Sequence, residues 1–106
     1  MLLTVGKLES LDKDIRLFIE KQFDHFYKEP EEWKDVATMV LAEQGIQPNL
    51  DTVLSYLVGM TMGEAFQKFK AKFKRTWTNE EARAIANLLA RRAFEIRQHF
   101  LATQLR

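Results

Sequence analysis

From Leu8 to Phe100 apolar residues recur at three- and four-residue steps, and the pattern breaks at only three places. Those steps correspond to about 100° per residue, which puts the apolar side chains on one side of an α-helix. Each break carries stop and start residues: Pro30, then Gly45 with Pro48 and Asn49, then Thr78. Helical periods joined by such short connections imply an all-α fold. Four helices are predicted at 8–28, 31–44, 50–74 and 79–103. They form a single-domain antiparallel bundle over residues 1–106, with 1–7 as a loose arm or, at Leu2 to Val5, a short strand.

The first helix carries Leu8, Leu11, Ile15, Phe18, Ile19, Phe23 and Phe26 on one stripe, and Ser10 is its expected cap. It ends near Lys28, because Pro30 pushes the residue before it out of helical geometry. Pro30 then opens the second helix, whose inner face is Trp33, Val36, Ala37, Val40 and Leu41. Gly45 suits a left-handed exit, with Ile46 folding back and Pro48 blocking continuation. In the fourth helix Thr78 and Glu81 match a capping box. Ala82, Ile85, Ala86, Leu89, Ala93, Ile96 and Phe100 form its inner seam. Ala90, Phe94, Leu101 and Leu105 make a second apolar edge, which calls for a second neighbour.

The third helix, capped by Asn49, is less uniform. Leu50, Val53, Leu54, Leu57, Val58, Thr61 and Ala65 share one side, whereas Met62, Phe66, Phe69 and Phe73 sit roughly 100° further round. Lys68, Lys72 and Arg75 fall in line with Leu54, Leu57 and Thr61, and lysines end burial. A bend near Gly63, or a second half that leaves the core for another surface, is therefore expected. The alternation of Phe69, Ala71 and Phe73 with lysines leaves a strand over Phe69 to Trp77 as an alternative.

Opposite the Leu54/Leu57 stripe lie Ser55, Gly59 and Gly63, small residues at four-residue spacing that let two helix backbones approach closely. Glycine inside a helix costs about 0.5–1 kcal/mol relative to alanine, so a compensating contact is expected. That contact is tight packing on another helix of the chain or on a second copy. Ser55, Gly59, Gly63, Phe66 and Phe94 are the residues expected to carry a homodimer.

Charge is distributed unevenly. Residues 1–51 hold six Lys/Arg against eleven Asp/Glu, and residues 52–106 hold ten against four, so the halves are net −5 and +6. Such asymmetry suits packing of one half on the other, head-to-tail association, or an anionic partner. Lys68, Lys70, Lys72, Lys74 and Arg75 with Trp77 form a basic-aromatic segment able to meet RNA or single-stranded DNA. The structural alternative is a solvated helix whose lysines reach around buried phenylalanines.

Chemistry has few candidates. Trp77 to Glu81 resembles the opening of Myb/SANT repeats over five residues, but no tryptophans follow at that family's spacing and the capping box accounts for Thr78 and Glu81. Arg92 and His99, with six residues between them, resemble the Arg-x₄₋₆-His motif of HEPN-domain ribonucleases, which are also helical. That resemblance implies acid–base cleavage of RNA by His99 and phosphate stabilisation by Arg92. Ala93 stands where that family often has a polar residue. The structural alternative pairs His99 with Glu95 on one helix flank.

Without cysteine the chain has no disulfide or thiolate site, and it has no phosphate loop or paired Glu-x-x-His motif. No metal, cofactor, small-molecule ligand or enzymatic activity is expected. The start lacks a basic, apolar signal sequence, and the longest uncharged run, Thr52 to Gly63, is too short to span a bilayer. A cytoplasmic location is expected.

Overall fold

The computed structural model describes residues 11–104, with side chains to residue 101. Four helices follow one another: α1 (Lys13–Lys28), α2 (Pro30–Glu43), α3 (Leu50–Phe73) and α4 (Asn79–Gln104). No strand occurs among the described residues. The expected arm and strand within residues 1–10 and the edge residue Leu105 lie outside the described residues, whereas the first helix starts at Lys13 rather than residue 8, with Asp12 instead of Ser10 as its cap.

The helix ends follow local chemistry closely. Asp12 caps α1, its carboxylate accepting from the amides of Asp14 at 3.1 Å and Ile15 at 3.2 Å. Gly45 has φ 77°, and the Ile46 amide folds back onto the Leu41 carbonyl at 2.9 Å. At α3, Asn49 Oδ1 accepts from the Thr52 amide at 3.0 Å while Thr52 Oγ1 accepts from the Asn49 amide at 2.9 Å. The Thr78–Glu81 box opens α4 through bonds of 3.1 and 2.7 Å. Each box satisfies amides that the first turn cannot.

One apolar core touches all four helices. Ile19, Phe23, Leu57, Phe69, Ile85, Leu88, Leu89 and Ile96 are among its most deeply buried side chains. An aromatic chain closes one end: Phe23 on Phe26 at 5.3 Å, Phe26 on Trp33 at 5.9 Å, and Trp33 on Phe100 at 5.6 Å. The Trp33 indole also donates to the Phe26 carbonyl at 2.6 Å, so the one polar atom of a buried ring is satisfied while it ties α2 to the last turns of α1.

Several expected inner residues sit differently. Val36 is half exposed and Ala86 faces solvent, while Ala84 and Leu88 are buried. On α4 the reason is that this helix packs against both α1 and α3, which shifts and widens its buried arc.

The larger correction concerns α3. Its core line does not end at Ala65 but runs on through Phe69, which is 1 % exposed. The second half therefore stays in the core, and the strand alternative fails because 69–73 are helical. The cations on that side are accommodated rather than expelled. Lys68 Nζ lies 4.9 Å from the Phe18 ring centre, Lys72 bridges Asp12 and Asp14 at 2.9 Å each, and Arg75 lies over Phe69 at 5.0 Å. Long stems cover apolar surface while the charged heads reach an aromatic face, as Lys68 does, or acidic partners, as Lys72 and Arg75 do, so burial and charge share one helix face.

Thr61 is fully buried in this line, and its Oγ1 has no hydrogen-bond partner. A buried hydroxyl without a partner costs about 1–3 kcal/mol. Thr61→Val, nearly the same shape, is expected to stabilise the protein by about 1 kcal/mol in chemical denaturation; a loss of stability would show that the hydroxyl is in fact bonded.

Candidate self-association surface

The outer side of α3 is bare. Ser55, Gly59 and Gly63 are exposed, and a Cβ built on either glycine meets no atom within 4 Å. Among the described residues no helix uses the close approach that these residues permit. Beside them α4 presents its second apolar edge outward, with Ala90 exposed, Phe94 60 % exposed and Leu101 36 % exposed. The two helices flank one shallow groove lined by Ser55, Val58, Gly59, Ala90, Ala93 and Phe94, with Asp51 and Arg97 bonded to each other at one end. Three of the five expected self-association residues, Ser55, Gly59 and Phe94, are thus brought together. Gly63 lies further along the same bare side. Phe66 is half-buried and packs edge-on against Trp77 at 4.8 Å, so part of its surface is already used within the chain. Val58, Ala90 and Ala93 complete the groove; the repeated small residues on the outer edge of α4 were the signal for them.

The basic-aromatic segment is largely engaged internally. Trp77 packs on Phe66 and Phe69, at 4.8 and 6.0 Å, and Phe69 is core. Lys72 is held by Asp12 and Asp14, and Arg75 by Glu81 at 3.0 Å. Lys70 lies 5.9 Å from the Phe66 ring centre, and Lys68, Lys70 and Lys74 are exposed. The aromatic rings that would stack on bases thus face inward, apart from Phe73, which is partly exposed and covered by Arg75 at 5.5 Å.

These pairs shift the carboxylates. The hydrogen bond from Arg75 holds Glu81 at about 2, helped by the Thr78 amide and opposed by partial burial. At Asp12 burial pulls upward, but the bonds from Lys72 and from the Ile15 and Asp14 amides outweigh it and leave the carboxyl below its ordinary value. A depressed carboxyl contributes stability above its unfolded pKa and loses it as pH falls through the folded one. The Glu81 contribution, about 1–2 kcal/mol after solvent screening, is therefore expected to fade between roughly pH 4.5 and pH 2. Glu81→Gln should flatten that part of a stability–pH curve; an unchanged acid limb would place the loss elsewhere.

Arg92 and His99 do line a common depression, with Asp24, Tyr27, Lys28 and Glu95. The Arg92 side chain, only 12 % exposed, is bonded by carboxylates on three sides: Glu20, Asp24 at 2.6 Å and Glu95 at 2.9 Å. His99 packs against Tyr27 at 4.5 Å and Phe100 at 5.8 Å. An arginine already surrounded by carboxylates is a structural cation, poorly placed to meet a phosphate. Glu20 and Asp24 were not singled out by sequence reasoning, although their i,i+4 spacing in the acidic half and the basic excess of α4 were the available signals. His25 bonds Glu32 at 2.7 Å at the exposed α1–α2 junction.

Among the described residues no group of three or more His, Asp or Glu side chains is arranged to hold a metal ion, and no helix is long and apolar enough to cross a membrane. The folded class is an all-α structure of four packed helices with an unfilled groove between α3 and α4. Compared with protein families, curated proteins and solved structures, the chain shows no significant match to any.

Proposed function

We propose that the protein is a small non-enzymatic interaction module, an antiparallel bundle that forms a homodimer through the outer face of α3 and α4. It acts in the cytoplasm, the compartment a chain without cysteines suits. The observation that carries this reading is the placement of a 60 %-exposed Phe94 beside the bare Gly59 on one face. Two interior glycines cost the helix about 0.5–1 kcal/mol each, and nothing among the described residues recovers it. An exposed phenylalanine next to a groove of small residues is the composition of an interface centre. The Asp51–Arg97 bridge at one end of α3 and the Lys72–Asp12 bridge at the other support its antiparallel course against α4 and α1.

Binding of RNA or single-stranded DNA through Lys68 to Trp77 has less support, because the stacking rings are occupied and Lys72 and Arg75 are paired. A HEPN-like ribonuclease has less still, because Arg92 is saturated with carboxylates.

Sedimentation equilibrium tests the proposal. The wild type is expected at twice 12.5 kDa. Gly59→Leu with Gly63→Leu is expected at the monomer mass while keeping its helical circular dichroism, since leucine is the better helix former and a Cβ at either position meets no atom within 4 Å. A wild type that stays monomeric, or a doubly substituted dimer, rejects this surface.

A further inference from the structure

Building on that homodimer, we propose its arrangement: a second copy docks with the twofold axis running along the α3–α4 groove, so that each Phe94 seats on the partner's Ser55–Gly59 notch. An isologous interface must present knob and hole on one face, each meeting its counterpart. Phe94 and the notch satisfy this because they lie at the same level, both lining the groove. An axis along the groove sets α3 of one copy opposite α4 of the other without shifting levels. Phe94 then meets Ser55 and Gly59, and at Gly59 no Cβ stands in the way.

Charge selects the same arrangement. Asp51 and Arg97 are bonded to each other within the chain, yet their side chains are 67 % and 45 % exposed. Across the proposed axis Asp51 faces the partner's Arg97, and Arg97 the partner's Asp51, so the two bridges become a four-membered network. Near the other end the helical rise brings exposed Lys70 level with the exposed first turn of α4, where Glu80 lies. The Asp51–Arg97 end thus opposes unlike charges. The charge asymmetry between the chain's halves does not itself demand a partner. Among the described residues six of the nine ion pairs already join the acidic half to the basic one: Lys72 to Asp12 and Asp14, Arg91 and Arg92 to Glu20, Arg92 to Asp24, and Arg97 to Asp51. What specifies the second copy is the local pattern at the groove.

The chain has no cysteine, so single thiols report the arrangement cleanly. Asp51→Cys and Arg97→Cys proteins, both exposed positions, are mixed and treated with a short bifunctional maleimide. The expected product is a cross-linked heterodimer that predominates over either homodimer, and that is lost when Gly59→Leu is added to both chains. Circular dichroism confirms that each variant is helical. A dimeric mass without the 51–97 cross-link overturns this arrangement and leaves self-association standing. A monomeric mass for the unmodified chain overturns both.

Discussion

Phe69→Ala is expected to lower the unfolding free energy by about 3–5 kcal/mol, because a ring that is 1 % exposed leaves a cavity that the surrounding helices cannot fully close. Against a total of about 5–15 kcal/mol for a chain of this size, that is a large share. Phe73→Ala, one turn later, is expected to cost under about 1 kcal/mol, since its ring is 37 % exposed. The pair of variants asks where the core ends along α3. Denaturant midpoints at constant m-value give the comparison directly. Equal, small losses for both would mean that the second half of α3 lies outside the core.

Arg92→Ala is expected to cost about 2–3 kcal/mol, although the residue is charged and belongs to a helix flank. Its guanidinium bonds Glu20, Asp24 and Glu95 together and makes a further bond to the Glu20 carbonyl, while Arg91 reaches only Glu20, at 3.8 Å. Removal leaves three carboxylates facing each other on the α1–α4 seam. The diagnostic measurement is a double-mutant cycle with Glu20→Gln. A coupling of about 1 kcal/mol or more marks a structural network, whereas a chain that keeps full stability after Arg92→Ala would reopen a role for this arginine outside the fold.

Boundaries were readable because they rest on nearest-neighbour chemistry. Gly45, Asn49, Thr78 and Glu81 do in the folded protein what their types do locally in any helix end. The stripes of α1, with Ile15, Ile19, Phe23 and Phe26, follow from the helical period alone. Prediction failed where a residue's burial depends on side chains of another helix. On α3, a wheel cannot tell whether Lys68 and Lys72 mark the edge of the core or reach across it, since the answer depends on Phe18 and Asp12 of another helix. On α4, Ala84 and Leu88 replace Ala86 for the same reason. The candidate surface was partly legible: small residues on α3 and a spare apolar edge on α4 were both visible, but not that Gly59 and Phe94 flank one groove.

Residue order alone settled the all-α class, the number of helices and nearly all their ends, because helical period, caps and breakers act over three or four residues. Which lysines are spent on acids, which glycines stay uncovered and which phenylalanine is left in solvent depended on how the helices pack. Those outcomes are set by residues distant in the chain, whose distances and burial exist only once the helices have met.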